Sequence, residues 1–380
     1  MIAPQRLSPA SFVRHASDVS SFYGFRPLRE VERALVPKRT KGLHNFGTSL
    51  DVCTSHVIAS KEPVLAYYAS ATPSHTLPGT QLKDVGEFGL HVVGAGESLG
   101  EILLLKTLFS IITEWGVGVS RVRMNALGDR DSKLRFEREL TTYLRKHTQT
   151  LDAGCRKAIT ESPLSTYICT TETCREVLAD GPRAMSFLSE KSRGHFREVL
   201  EYVESLGLPY EVDDLLVGDE REQRIVFALD LADADATILG STGGRYDEYV
   251  RKLSNRKDGA GVSASIFFRK KGMARSSFTA TSPAKRPKIY FVQLGLRAKL
   301  QGLHVVDMFR EAHLPISQSF DPRSLGPQLQ NARDQGVSHV LIMGQREALD
   351  GTVIVRSTLN SSQQIVQLTA LPRFLKTLKV

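Results

Sequence analysis

Residues 288–356 read KIYFVQLGLRAKLQGLHVVDMFREAHLPISQSFDPRSLGPQLQNARDQGVSHVLIMGQREALDGTVIVR, and this stretch decides the fold of the C-terminal quarter. Three apolar runs, Ile289–Leu294, Val337–Met343 and Gly351–Val355, have the length and β-branched content of strands. Between them the apolar spacing becomes helical over Arg297–Ala312 and Ser324–Gln335. Strands alternating with helices of this length imply right-handed crossovers and a largely parallel, helix-covered sheet. The order β-α-β-α-β-β-α closes with a helix over Leu371–Leu378, whose first turn takes Pro372 without losing a needed N–H.

The same segment is basic. From Lys285 to Val380 there are thirteen Lys and Arg against six Asp and Glu, so +7 of the chain's +9 lies here. Such a balance suits a phosphate-rich partner. At 380 residues the chain predicts two or three domains, and 41% hydrophobic content is enough for sizeable cores. No apolar run approaches the length of a membrane span, and MIAPQRLSPASFVRHASD lacks the apolar core of a secretory signal. Four cysteines do not make a disulfide scaffold, so a reducing cytoplasm is expected, with no membrane partner.

The C-terminal stretch resembles the anticodon-binding domain of class II aminoacyl-tRNA synthetases, and most closely that of the histidyl-tRNA synthetases. Val292–Gly295 (VQLG), Gln328–Leu329 and Gly344–Arg356 (GQREALDGTVIVR) carry the resemblance. It implies that Gln328, Gln345, Arg346, Glu347 and Arg356 meet RNA. Upstream, a helix over Ser11–Tyr23 followed by Phe22–Leu28 (FYGFRPL) is similar to motif 1, which in that family forms the homodimer interface. Val64–Tyr68 and Glu87–Gly94 look like the two strands of motif 2. Gly240–Val250 (GSTGGRYDEYV) and Gly259–Gly272 resemble the histidine-site turn and motif 3.

The resemblance implies an α/β chain with an α+β core, built on the class II antiparallel sheet flanked by helices. The catalytic core would take residues 1–147 and 210–272, a helical insertion 148–209, a linker 273–287, and the anticodon-binding domain 288–380. It assigns substrate binding to Glu87, His91, Arg221, Gly243, Gly244, Arg245, Tyr246 and Asp247. Arg269 and Arg245 are the candidate catalytic cations, and ATP is the nucleotide they would meet.

Several positions depart from the family. Where motif 2 asks for an arginine the register gives Ser74 or His75, and no Lys or Arg occurs between Lys61 and Lys83. Val217 stands at the histidine-specific arginine, Arg221 and Glu222 at two tyrosines, and Phe268 at the acidic residue before Arg269. Between Val36 and Pro63 the family's acidic residue and threonine pattern are absent. Adenylation needs cations around the α-phosphate, so these departures favour a synthetase-like protein without ligase activity that binds tRNA or other RNA as an accessory or regulatory factor. An active histidine–tRNA ligase with compensating arginines is the alternative. A third reading is a regulatory subunit with ATP phosphoribosyltransferase as protein partner.

In the insertion, His147, Cys155, Cys169 and Cys174 are the candidate metal ligands. Their spacing, H-x7-C-x13-C-x4-C, is not a tight zinc pattern, so three partly buried thiols and no zinc are expected.

Overall fold

The structure, a computed structural model, describes residues 8–35, 46–60, 62–74, 82–95, 98–218, 223–232, 237–279, 287–318, 325–360 and 362–377. His75, Arg221, Glu222 and Leu378 lie outside the described residues. The chain divides into two compact units: residues 1–13 with 28–279, and residues 14–27 with 280–380. Among the described residues no helix is long and apolar enough to cross a membrane.

In the first unit seven strands form one sheet. Their spatial order is Val64–Ser70, Val85–Val93, Gly261–Arg269, Ile238–Arg245, Gln223–Leu231, Val119–Gly128 and Tyr210–Val212. All these pairings are antiparallel except the last, which is parallel. The helix Leu99–Glu114 has a single apolar face in its sequence spacing, yet Leu103, Leu104 and Ile111 are as buried as Ile102 and Leu105. A helix buried on nearly every side is one covered by other layers. Gly100 allows its close approach to the sheet, since a Cβ there would stand 2.9 Å from the Val262 side chain. Asp129 caps the next helix, Arg130–Lys146, by accepting from the Ser132 N–H at 2.9 Å.

Residues 148–209 form helices at Ala153–Glu161, Glu172–Ala179 and Glu190–Ser205, with 3-10 turns at Pro163–Ile168 and Ala184–Phe187. Apolar side chains of the first two helices and of both 3-10 turns join Leu127, Phe136, Leu140 and Leu144 in one cluster. Two further helices are Leu28–Leu35 and Phe46–Ser60, the second within Val36–Pro63, where the sequence offered only a departure from the family. The second of these packs Phe46, Leu50 and Cys53 against Ala66, Tyr68 and Val93 of the sheet.

The second unit carries a five-stranded sheet in the order Ile316–Gln318, Ile289–Gln293, His339–Met343, Thr352–Ser357, Gln363–Gln367. The first three strands run parallel and the last two antiparallel. Gln345–Asp350 is a short helix and Gln363–Gln367 an edge strand, two elements absent from the expected order. Glu347 explains the helix: its carboxylate accepts from the Gly344 N–H at 2.9 Å, and Gly351 ends the turn with φ 64°.

Arg14–Pro27, expected in the first domain, clusters with this second unit. Tyr23 is fully buried, its hydroxyl donates to Asp307 at 2.5 Å, and the Arg310 guanidinium lies 5.3 Å from its ring centre. Arg310 also donates to the same hydroxyl at 3.2 Å. Hydrogen bonds to charged groups contribute roughly 1.5–3 kcal/mol each. Tyr23→Phe is therefore expected to destabilise the second unit by about that amount, speeding hydrogen exchange in Ile289–Gln293 by roughly 10–100-fold. Unchanged exchange there would mean the segment is held by other contacts.

Candidate functional site

Strand register sorts the first unit's polar residues onto two faces. Along Val85–Val93, Glu87, Gly89 and His91 point to one side. Their cross-strand partners are Ser70, Tyr68 and Ala66 on one flank, and Phe267, Ser265 and Ser263 on the other. Gly89 has no side chain, and the Tyr68 ring lies across it; a Cβ would fall 2.1 Å from that ring. Tyr68 then stacks on His91 with ring centres 5.3 Å apart.

Glu87 is fully buried and gathers neutral donors. Its Oε1 accepts from Tyr68 at 2.8 Å, Ser265 at 2.5 Å and the Ser74 hydroxyl at 2.9 Å, while Oε2 accepts from the Ser74 N–H at 2.6 Å. Among the described residues no lysine or arginine pairs with this carboxylate. Burial, and then the neighbouring Glu87 charge, push the Tyr68 hydroxyl well above 10, so it remains a donor. Ser74, at the register where the resemblance asks for a cation, spends both its polar groups on Glu87.

His91 is boxed in by the helix Phe46–Ser60. Ser49 Oγ stands 2.6 Å from one ring nitrogen and Ser263 Oγ 2.7 Å from the other, with the Phe46 ring edge-on at 5.3 Å. Burial lowers its pKa from 6.5 to about 3, so it is neutral. Tyr68, Glu87, His91, Ser263 and Ser265 are each at most 4% exposed.

Arg245 points the other way. It pairs in register with Val262, opposite to Ser263 and Ser265, and so faces the helix Leu99–Glu114. Its Nε and Nη2 donate to the Glu101 carboxylate at 2.7 and 2.5 Å, and Nη1 donates to Asp247 at 3.1 Å. His195 Nε2 sits 2.9 Å from Glu101 Oε1, and the Gly261 N–H donates to Asp247 at 3.1 Å. Burial acts to raise the Glu101 carboxyl, but the Arg245 charge and the His195 and Arg245 hydrogen bonds outweigh it and hold the group at about 2. Arg245 and Asp247 thus form an interior ion network rather than a surface that meets the Glu87 side.

The other assigned residues scatter. Gly243 lies under the Phe227 ring, where a Cβ would come within 2.5 Å, and Gly244 pairs with Ser263. Tyr246 is 1% exposed against Phe46. Arg269 is exposed at the end of its strand, one residue after the buried Phe268. Val217 packs on the apolar cluster of the insertion.

In the second unit Gln328 is 1% exposed and ties its helix to the sheet: its side chain accepts from the Gln293 N–H and donates to the Gln293 carbonyl, both at 3.3 Å. Gln345 and Arg346 are exposed, and Arg346 holds Asp350 at only 3.6 Å. Arg356 is half-buried on the neighbouring strand, and Glu347 serves the helix cap.

In the insertion the three thiols converge. Cys155, Cys169 and Cys174 gather with Asp152, all four ligand atoms lying within 4.8 Å of one another. His147 is not in the group; its ring stacks near Tyr143 at 4.5 Å.

Sequence reasoning missed Ser49, Tyr68, Ser263, Ser265, Glu101 and Asp152. The alternation Ser263-Ala264-Ser265 was the available signal for two hydroxyls on one strand face. Their meeting with Glu87 and His91 depends on pairings across more than 170 residues.

A family model described as the anticodon binding domain matches residues 294–378. A histidine–tRNA ligase of Chlorobium phaeobacteroides is 25% identical over 321 residues, covering 82% of this chain and 73% of that protein. One from Rhodospirillum rubrum is 26% identical over 322 residues, covering 84% and 76%. The apo crystal structure of S. aureus histidyl-tRNA synthetase aligns over 94% of this chain and 93% of that one, at 19% identity and TM-score 0.46.

Two outcomes are expected from this geometry. A buried base whose pKa drops on folding leaves the unfolded chain to take the proton first. The His91 contribution is therefore whole above pH 6.5 and lost as pH falls toward 3. Melting temperature against pH should fall more gently between 6.5 and the carboxylate range in His91→Gln than in wild type. Glu101→Gln leaves the Arg245 charge half-paired in the interior and is expected to cost about 3–5 kcal/mol by chemical denaturation. A loss below ~1 kcal/mol would mean water or another group takes over the pairing.

Proposed function

We propose that this chain is a histidyl-tRNA synthetase-like protein of class II that binds RNA without joining histidine to it. The carrying observation is the buried polar cluster around Glu87, which among the described residues holds no lysine or arginine. Adenylation builds negative charge on a phosphate, and each missing donor costs about 2.7–4 kcal/mol of transition-state stabilisation. Ser74 is neutral and engaged with a carboxylate. Arg245 serves Glu101 and Asp247 beneath the sheet. The helix Phe46–Ser60 covers His91 with Ser49 and Phe46.

RNA binding rests on the anticodon-binding domain and its charge of +7 over residues 285–380. Arg346, with an 88% exposed side chain, and Arg356 are the phosphate-contacting candidates on its described surface. A homodimer belongs to the same proposal and is read by light scattering. The competing reading, an active ligase, draws support from the names of the relatives, and would need Arg269 and Arg221 to supply the missing charge.

ATP–pyrophosphate exchange with histidine separates the two. No exchange above the blank is expected; turnover at rates typical of synthetases would overturn the proposal. Filter binding of tRNA-His should weaken steeply with salt, and Arg346→Ala with Arg356→Ala should reduce the log–log salt slope by roughly 1 per lost phosphate contact. An unchanged slope would move the RNA site elsewhere.

A further inference from the structure

The helical insertion holds a second polar centre that the synthetase-like reading does not use. Asp152 stands at the N-terminus of the helix Ala153–Glu161, Cys155 lies in its first turn, Cys169 follows the 3-10 turn Pro163–Ile168, and Cys174 lies in the helix Glu172–Ala179. We propose that Asp152, Cys155, Cys169 and Cys174 bind one zinc ion that fastens these three segments together.

The geometry fits the ion. A zinc–sulfur bond of about 2.3 Å puts neighbouring ligands of a tetrahedron roughly 3.8 Å apart. Here Asp152 Oδ2 lies 3.1 Å from Cys169 Sγ and 3.6 Å from Cys174 Sγ, and no pair of ligand atoms in the set exceeds 4.8 Å. Closing on zinc requires side-chain shifts of about 1 Å at most.

The two carboxylate oxygens of Asp152 have separate tasks. Oδ1 accepts the Cys155 N–H at 2.7 Å, which fixes the group's orientation, and Oδ2 faces the sulfurs. Thr171 Oγ1 lies 3.0 Å from Oδ2 and 2.9 Å from Cys169 Sγ, placed to donate to a ligand atom from outside the set. All three cysteines are free thiols. Cys155 and Cys174 are buried while Cys169 and Asp152 are half-buried, so the ion would reach the site from their side.

Four convergent soft and anionic ligands on three chain segments favour a closed structural site over a catalytic one, which would keep an open position. Binding deprotonates the thiols and releases their protons, and its free energy adds to the folding of the insertion. The proposal is independent of whether the chain is a ligase.

The test is metal analysis of the full chain, purified without chelator, by plasma mass spectrometry. About one zinc per chain is expected, unchanged in His147→Ala and in Cys53→Ser, whose thiol lies in a different core. Zinc should be lost in Cys169→Ser, the one half-buried cysteine of the three and so the least disruptive of them to replace. Because that variant could lose zinc by misfolding, cobalt is also titrated into the zinc-stripped wild-type chain. One equivalent should give the intense visible bands of a tetrahedral site and near-ultraviolet thiolate-to-cobalt charge transfer. Failure to hold zinc together with featureless cobalt spectra would overturn the proposal. So would a disulfide among the three cysteines in the native chain, or loss of zinc in His147→Ala but not in Cys169→Ser.

Discussion

Arg245 carries a permanent charge into an interior where it is 1% exposed, between Glu101 on a helix and Asp247 just past its own strand. An unpaired guanidinium there would be prohibitively costly, and so would either carboxylate without it. The two acids meet the base bidentately and edge-on, and each is held by further partners: Glu101 by His195, Asp247 by the Gly261 N–H and more distantly by Arg224. Arg224 reaches this position from a backbone with φ 59°, an uncommon conformation for a side-chain-bearing residue, at a register shift in its strand. The network ties the helix Leu99–Glu114, the helix Glu190–Ser205 and two central strands to one point. A one-residue slip between those strands would move Arg245 to the opposite face and strand three charges, so the ion pair enforces the register as well as being enforced by it.

That register has a consequence for chemistry. With the cation fixed beneath the sheet, the opposite face carries Tyr68, Ser74, Glu87, His91, Ser263 and Ser265, a set that is polar but supplies no positive charge. A buried carboxylate is tolerated when several donors converge on it, and four do so at Glu87. Such a cluster is rigid and self-satisfied.

The second unit follows different physics. Its core is a short parallel sheet with an antiparallel edge, closed by apolar clusters on both faces. Its charge sits outside, on side chains such as Arg346 that are loosely paired and free to reorganise around a polyanion. Tyr23 joins this unit to a segment more than 280 residues away in sequence, through one buried hydroxyl set between Asp307 and Arg310.

Much of this was legible in the residues. Hydrophobic period and chain order predicted the strand at Ile289, the helix after Gly295 and the strand before Gly344, because each depends on neighbours within a few residues. The absence of Lys and Arg between Lys61 and Lys83 was equally plain, since it is a matter of composition. Other elements escaped, two helices among them for a visible reason. The helix Phe46–Ser60 is rich in Ser, Thr and Val, which weakens its period, and Gln345–Asp350 is too short to show one.

The sequence by itself therefore determined most elements of the C-terminal domain, its charge, and the stretch without Lys or Arg between Lys61 and Lys83. Only the tertiary structure decided which way side chains face and which distant groups meet. Arg245 belongs with Glu101 rather than with Glu87 because of strand register. Gln328 is a tie to Gln293 rather than a surface group because its helix lies on the sheet. Asp152, not His147, joins the three cysteines because a helix cap turns its carboxylate toward them. The physical reason is common to all three: periodicity and composition are properties of a segment, whereas facing and partnership are properties of how segments far apart in the chain come to pair.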